Sequence, residues 1–313
     1  MNKFKEHDIL ESHPLKDLNF KIKVLDDIGF VQLKNVSPRM CPFTYDEIQD
    51  IYTKRSCDFI IVEAARTSTN NGLKTESEDS RLIEYLMRHS HTSPFEQADV
   101  TFTLKLPLCI AVHFLRHRTA QVNQESQRYT NKVGNLEFYI PDFRSKSLTN
   151  KQSSEKSEEH HEIFKNTITT HSKKCEEEYT NAIKMGCAPE VARFLLPQNT
   201  YTKMVYKINL HNLFHLLKLR TDKNSQFETK QYADAMFEMI RPLFPISCNA
   251  FEKYILNSIS LSSTEIKIIK AHFYDEKLNR IIYYEENDFS SKDELSQLNR
   301  KVQLLLNGFI DLV

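Results

Sequence analysis

Glycine is scarce in this chain, with 5 among 313 residues. No glycine-rich loop is therefore available to cradle a phosphate. Net charge is absent as well, because Lys+Arg and Asp+Glu number 42 each. Without a global basic field the chain has nothing to draw in a nucleic-acid backbone, so any anion must be held by a local cluster. No apolar run approaches the ~18 residues that span a bilayer. The stretch Met1 to Lys16 mixes charges with Pro14 and lacks the apolar core of a signal peptide. No membrane partner and a cytoplasmic location are expected. The six cysteines, Cys41, Cys57, Cys109, Cys175, Cys187 and Cys248, form no C-x-x-C pair. They read as reduced thiols rather than as a zinc ribbon or a disulfide framework.

What remains is the composition of an ordinary globular protein, 40% apolar and 27% charged. The length suits one main domain with additions. Lys21 to Leu25 and Phe30 to Leu33 flank a turn-rich Asp26-Asp27-Ile28-Gly29, which predicts a hairpin. Pro38 to Cys57 reads as a loop or short helix. Leu82, Ile83, Leu86 and Met87 fall at helical spacing and predict a helix over Asp79 to His89. From Val100 to Leu106 apolar and polar residues alternate, the period of a half-buried strand. Pro107 ends it, and Leu108 to Leu115 reads as a buried helix delivering Arg116, His117 and Arg118.

Phe143 to Glu178 is polar and predicts a mobile loop followed by a solvated helix. Ala188-Pro189-Glu190 opens a helix with proline at its first position, leading to Arg193. Tyr201 to Ile208 predicts a second strand, after which Asn209 caps a helix ending near Arg220. Phe227 to Leu243 repeats the helical pattern. In the tail Ser262 with Glu265 and Ser291 with Glu294 are capping-box signatures that predict further helices.

The chemistry concentrates between His113 and Tyr129. Three arginines, two histidines, Gln121, Asn123, Gln124, Ser126 and Gln127 lie there beside a strongly apolar segment. Guanidinium forks match phosphates and flat heterocycle edges, and Gln and Asn read a base through paired donor and acceptor atoms. The physical reading is an anionic-nucleotide site. A structural ion-pair network is the plainer alternative, although Glu125 is the one carboxylate nearby to neutralise Arg116, Arg118 and Arg128.

Arg116-His117-Arg118, seven residues and then Ser126 form an R-H-R-x7-S pattern that Arg128-Tyr129 extends. Around it, in order, stand Glu63-Ala64-Ala65-Arg66, Leu82-Ile83-Glu84-Tyr85-Leu86, His91-Thr92-Ser93-Pro94-Phe95-Glu96, Glu137-Phe138-Tyr139-Ile140-Pro141, Glu190-Val191-Ala192-Arg193 and Leu219-Arg220. This colinear series resembles the flavin-dependent thymidylate synthases, the ThyX family, over about residues 21–257.

The resemblance implies an α+β fold, a twisted and mainly antiparallel sheet packed with helices, plus a helical C-terminal tail. The implied divisions are an N-terminal extension at 1–20, a catalytic domain at 21–257 with loop insertions at 39–57 and 143–176, and an extension at 258–313. It implies a methyltransferase that converts dUMP to dTMP with methylenetetrahydrofolate as carbon donor, FAD as hydride carrier and NADPH as reductant. A homotetramer is implied, and nucleic acid is not. For dUMP it implies His113, Arg116, Gln124, Glu125, Ser126, Gln127, Arg128, Arg193 and Arg220, with Arg220 catalytic. For FAD it implies Ser93, Arg116, His117, Arg118, Thr119, Gln124, Asn209, His211 and His215. His113 stands where Gln is frequent, Gln124 where Glu is frequent, and His211 where Arg is frequent.

Other readings of these residues are weaker. Ser126 as a nucleophile needs a positioned base that the sequence does not supply. The Pro-Cys-His expected of folate-only thymidylate synthases is missing. His211 and His215, four apart, could share a metal, but Asn212 stands where a zincin has Glu, so no metal is expected. A nucleotide- or RNA-binding protein without turnover is disfavoured by the zero net charge and the retained Arg220.

Overall fold

The computed structural model describes residues 7–9, 21–46, 51–69, 72–129, 132–146, 154–258, 260, 274–275 and 280–281. The chain divides into two compact units, Met1–Leu256 and Asn257–Val313. The strands are β1 (His7–Ile9), β2 (Ile22–Lys23), β3 (Phe30–Ser37), β4 (Met40–Asp46), β5 (Ile51–Lys54), β6 (Asp99–Pro107), β7 (Gln121–Gln124), β8 (Arg144–Lys146), β9 (Ser154–Lys156), β10 (Tyr201–Asn209), β11 (Tyr274–Asp275) and β12 (Arg280–Ile281). The helices are α1 (Phe59–Thr67), α2 (Glu76–Arg88), α3 (Leu108–Leu115), α4 (His161–Lys184), α5 (Pro189–Ala192), α6 (Leu210–Arg220), α7 (Phe227–Ile240) and α8 (Pro245–Phe251).

The central sheet runs β2-β3-β6-β10-β7, with every neighbouring pair antiparallel. Alternation decides its faces. On β6, Val100, Phe102, Leu104 and Leu106 are wholly buried while the residues between them are partly exposed, and on β10 Met204, Tyr206 and Ile208 point inward likewise. Ile110, Ala111 and Phe114 of α3, Leu213, Phe214 and Leu217 of α6, and Tyr232, Ala233 and Met236 of α7 join those strand residues in one core. The α+β architecture with a mainly antiparallel sheet is therefore present.

Several expectations need correction. The stretch 39–57, read as a loop, holds β4 and β5, which pair with each other while β1 pairs with β4. Helix α2 starts at Glu76 rather than Asp79, because Thr75 and Glu78 form a reciprocal capping box. Asp79 then falls inside the helix, wholly buried, and binds both Arg55 and Arg66. The polar stretch from Phe143 contains the β8–β9 pair, and α4 occupies 24 residues whose inner face buries Ser172, Cys175 and Tyr179. Strand β7 carries no apolar alternation and exists through its pairing with β10. Past Pro245 a further helix, α8, continues into a π-helical turn at Glu252–Leu256.

The N-terminus of α8 is capped from afar. The buried Asp58 carboxylate accepts hydrogen bonds from the backbone N–H of Ile246 and of Ser247, both at 3.0 Å. Burial raises its pKa against the opposing pull of these bonds. In the second unit β11 and β12 pair antiparallel, and the predicted tail helices lie outside the described residues. Among the described residues no helix is long and apolar enough to cross a membrane.

Candidate active site

Helix α3 is oriented by its apolar residues. Ile110 and Phe114, one turn apart, face the core, which leaves His113 half-buried at the edge of that face. The helix closes at Arg116, and the His117 N–H donates to the Phe114 carbonyl at 3.1 Å. Asn209 ends β10 and opens α6 at once. Its side-chain oxygen accepts from the Asn212 N–H at 2.9 Å. Leu210 N–H donates to the Ala98 carbonyl at 2.8 Å, which ties α6 to the 3₁₀ turn Ser93–Gln97.

These two helices meet through Arg220, the last residue of α6. Its Nε donates to His117 Nε2 at 3.1 Å and its Nη2 to the His113 carbonyl at 3.5 Å. A ring nitrogen that accepts from a guanidinium must be unprotonated. Accordingly burial, then the Arg220 charge, then His215 push the His117 pKa down to about 4. The His215 ring lies 6.2 Å from His117, edge to face. His113 is also held below the ordinary histidine value, first by burial and then by Arg220, with Glu228 opposing. Its Nδ1 lies 2.7 Å from Thr229 Oγ1 on α7.

Beside this junction a cavity of about 330 Å³ is lined by Met87, Thr92, Phe95, His211, Phe214 and His215 among others. It is ligand-sized and largely apolar, with two imidazoles at its edge. Ser93 is exposed in the adjoining turn, and Arg118 and Thr119 are exposed between α3 and β7. Among the described residues Arg116 and Arg118 have no ion pair, so their charge is free for a ligand.

A second group forms where β7 runs out. Gln124 Nε2 donates to Thr202 Oγ1 at 3.3 Å. Ser126 Oγ accepts from the Arg128 N–H at 3.2 Å. Arg128 donates to Glu190 Oε2 through Nε at 3.3 Å and Nη2 at 3.2 Å, and Arg193 Nε donates to the Glu190 carbonyl at 3.2 Å. One residue thus holds two arginines side by side. Gln127 Nε2 is buried without a hydrogen-bond partner among the described residues, a donor left waiting for an acceptor. Glu125 does not pair with these arginines, as the alternative of a structural ion-pair network would have required. Its N–H donates to the Lys203 carbonyl at 2.8 Å, continuing the strand pairing, and its carboxylate takes Lys132 at 2.9 Å.

The structure therefore assembles His113, His117, His215 and Arg220 at one junction, with Arg116 beside it and His211 in the adjoining cavity. Arg128 and Arg193 meet at Glu190, and Ser126 accepts from the Arg128 backbone. Asn209 is engaged as a helix cap. Sequence reasoning gave no role to Glu190, whose position one turn before Arg193 was a usable signal, or to Thr229, which carried none.

Residues 51–246 match a family described as Thymidylate synthase complementing protein. A flavin-dependent thymidylate synthase of Treponema denticola is 41% identical over 219 residues, 68% of this chain and 82% of that protein. The one of Dictyostelium discoideum is 37% identical over 282 residues, 88% of this chain and 87% of its own length. That match is longer than the first compact unit, so it reaches beyond it. The crystal structure of a UMP/dUMP methylase, PolB from Streptomyces cacaoi, bound with 5-Br dUMP, superposes with a TM-score of 0.63 at 29% identity, covering 76% of this chain and 100% of that one. Motif order, fold and overall identity agree, and the chain belongs to the flavin-dependent thymidylate synthase family.

Proposed function

We propose that this chain is a flavin-dependent thymidylate synthase that reductively methylates dUMP. It takes dUMP, methylenetetrahydrofolate, NADPH and a proton to dTMP, tetrahydrofolate and NADP⁺. The observation that carries this reading is Arg220, a guanidinium fixed between the helix end bearing His113 and His117 and the helix whose His211 and His215 line the cavity. One group thereby addresses a nucleotide and a cofactor together. We assign the activity to residues 21–257.

The residues present fit a flavin. Phe95, Phe214 and Met87 give the cavity apolar walls for a flat ring system, and His211 and His215 offer ring nitrogens in its lining, with the neutral His117 ring 6.2 Å from His215. Ser93, Arg116, Arg118, Thr119, Gln124 and Asn209 would hold the rest of an FAD molecule. When bound, reduced FAD supplies the hydride that completes the methyl group.

This chain's own residues supply position and charge. Arg128 and Arg193, already paired on Glu190, would take the phosphate, and Ser126 and Gln127 would add donors to the nucleotide. His113, Arg116, Gln124 and Glu125 would surround the base. Arg220 would stabilise the negative charge that develops on the pyrimidine as carbon 5 becomes nucleophilic. Exposed apolar residues near these groups, Val112, Leu115, Leu219 and Phe194, support burial against other copies in a homotetramer.

The test is reconstitution with FAD followed by tritium release from 5-tritiated dUMP in the presence of NADPH and methylenetetrahydrofolate. Flavin binding and tritium release are expected. A folded protein that takes up no flavin sinks the assignment.

A further inference from the structure

Helix α7 packs against α3, and Thr229 on its first turns is 1% exposed with its hydroxyl 2.7 Å from His113 Nδ1. We propose that Thr229 is a positioning residue whose hydroxyl donates to His113 Nδ1 and so holds the imidazole in the tautomer that offers an Nε2–H to the pyrimidine. The proposal rests on the reading of His113 as a dUMP ligand.

The direction of the hydrogen bond follows from counting protons. Were the imidazole the donor, the Thr229 hydroxyl proton would have no acceptor among the described residues, on a residue only 1% exposed. A buried unpaired donor is costly, so the hydroxyl donates and Nδ1 accepts. A neutral imidazole accepting at Nδ1 carries its hydrogen on Nε2. Burial together with Arg220 and Arg116 keeps the ring neutral, against the weaker pull of Glu228. The half-buried His113 has no partner for Nε2 among the described residues, and this atom is not one of the buried unpaired ones, so it faces open space. The Arg220 bond to the His113 carbonyl fixes the backbone of the same residue.

His113 is thus anchored at one nitrogen by α7 and presents the other as a donor. Such a group complements a carbonyl, of which uracil has two. It finds no partner in an exocyclic amino group such as cytosine's.

The experiment measures dUMP binding to the FAD-loaded enzyme for Thr229→Val, Thr229→Ser, His113→Ala and the double variant Thr229→Val with His113→Ala. Removing the hydroxyl is expected to weaken dUMP about tenfold, the loss of one buried hydrogen bond's orienting effect. FAD affinity should hold in both Thr229 variants. Serine, which keeps the hydroxyl, should restore dUMP affinity to within roughly threefold of the parent, and in the His113→Ala background Thr229→Val should cost less than about twofold. A purely structural threonine would give the same loss with or without His113, and that additive result overturns the proposal. So does unchanged dUMP affinity in Thr229→Val. If His113→Ala itself leaves dUMP affinity unchanged, the placement of His113 at the nucleotide fails and the role of Thr229 falls with it.

Discussion

Arg220 and Arg128 each donate to a side chain of complementary chemistry, but the two acceptors live in different media. Arg220 donates to a neutral imidazole at a half-buried helix junction, whereas Arg128, 49% exposed, pairs with a Glu190 carboxylate that is 52% exposed. At the junction burial disfavours the charged imidazole, and His117 gives up its proton rather than its contact with Arg220. At the surface water screens both charges, so the pair contributes at most about 1 kcal/mol. The junction is preorganised and resists change. The surface pair is exchangeable, as the phosphate role proposed for Arg128 requires of an arginine that holds a carboxylate.

The largest effect should come from breaking the junction. Arg220→Ala is expected to slow oxidation of the reduced flavin by dUMP and methylenetetrahydrofolate by ~10²–10³, the usual cost of removing one preorganised donor aimed at developing charge. FAD affinity should change far less. Arg220→Lys keeps a charge and loses the fork, so it should recover part of the rate. Single-turnover oxidation at saturating substrates reads this directly, and a wild-type rate in Arg220→Ala would make Arg220 a structural residue.

At the surface, Arg128→Ala should weaken dUMP about 10-fold or more through loss of a charge-assisted bond to phosphate. Binding of deoxyuridine, which lacks the phosphate, should not respond. Equal losses for both ligands would move Arg128 away from the phosphate.

The junction should also carry a pH signature. Unfolded His117 binds its proton near the ordinary value of about 6.5, while the folded residue waits until about 4. Between those values the unfolded chain holds more protons, so stability is full above pH 6.5 and falls as pH drops toward 4. His113, shifted in the same direction, adds to the slope. His117→Gln keeps an acceptor for Arg220 and removes one titration, so its denaturation midpoint should fall less steeply over this window. An unaltered slope would mean that His117 is not depressed in the folded protein.

Much of the junction was legible in the sequence because local rules fixed it. The alternation in β6 and β10, the apolar run of α3, and Asn209 as the cap of α6 were sufficient to place Arg116 to Arg118 and Arg220 at helix ends. What escaped depended on partners distant in sequence. Strand β7 exists because β10 pairs with it, and α8, which no pattern announced, is capped by Asp58 from 189 residues away. Thr229 likewise gains meaning from α3, 116 residues earlier. The surface pair was half legible, since Arg128 and Arg193 stood in matched motifs while Glu125, the nearest carboxylate in sequence, turned to Lys132 instead.

The smallest effect should come from Glu190→Gln, and it is the sharpest test of exchangeability. The substitution removes the carboxylate charge facing Arg128 but leaves the backbone carbonyl that Arg193 uses, so one arginine loses its placeholder and the other keeps its anchor. An exposed ion pair contributes ~0–1 kcal/mol, which for a domain of this size shifts the melting temperature by no more than about 2–4 °C. For dUMP two changes oppose each other. The freed Arg128 loses some orientation, while the phosphate no longer competes with a resident carboxylate or approaches its negative charge. Affinity is therefore expected to stay within about threefold of the parent, and its salt dependence should persist because both arginines remain. Titration of FAD-loaded enzyme with dUMP at two ionic strengths measures both. A tenfold loss of affinity would show Glu190 to be a rigid template rather than a placeholder, and the contrast between the two arginine clusters would then disappear.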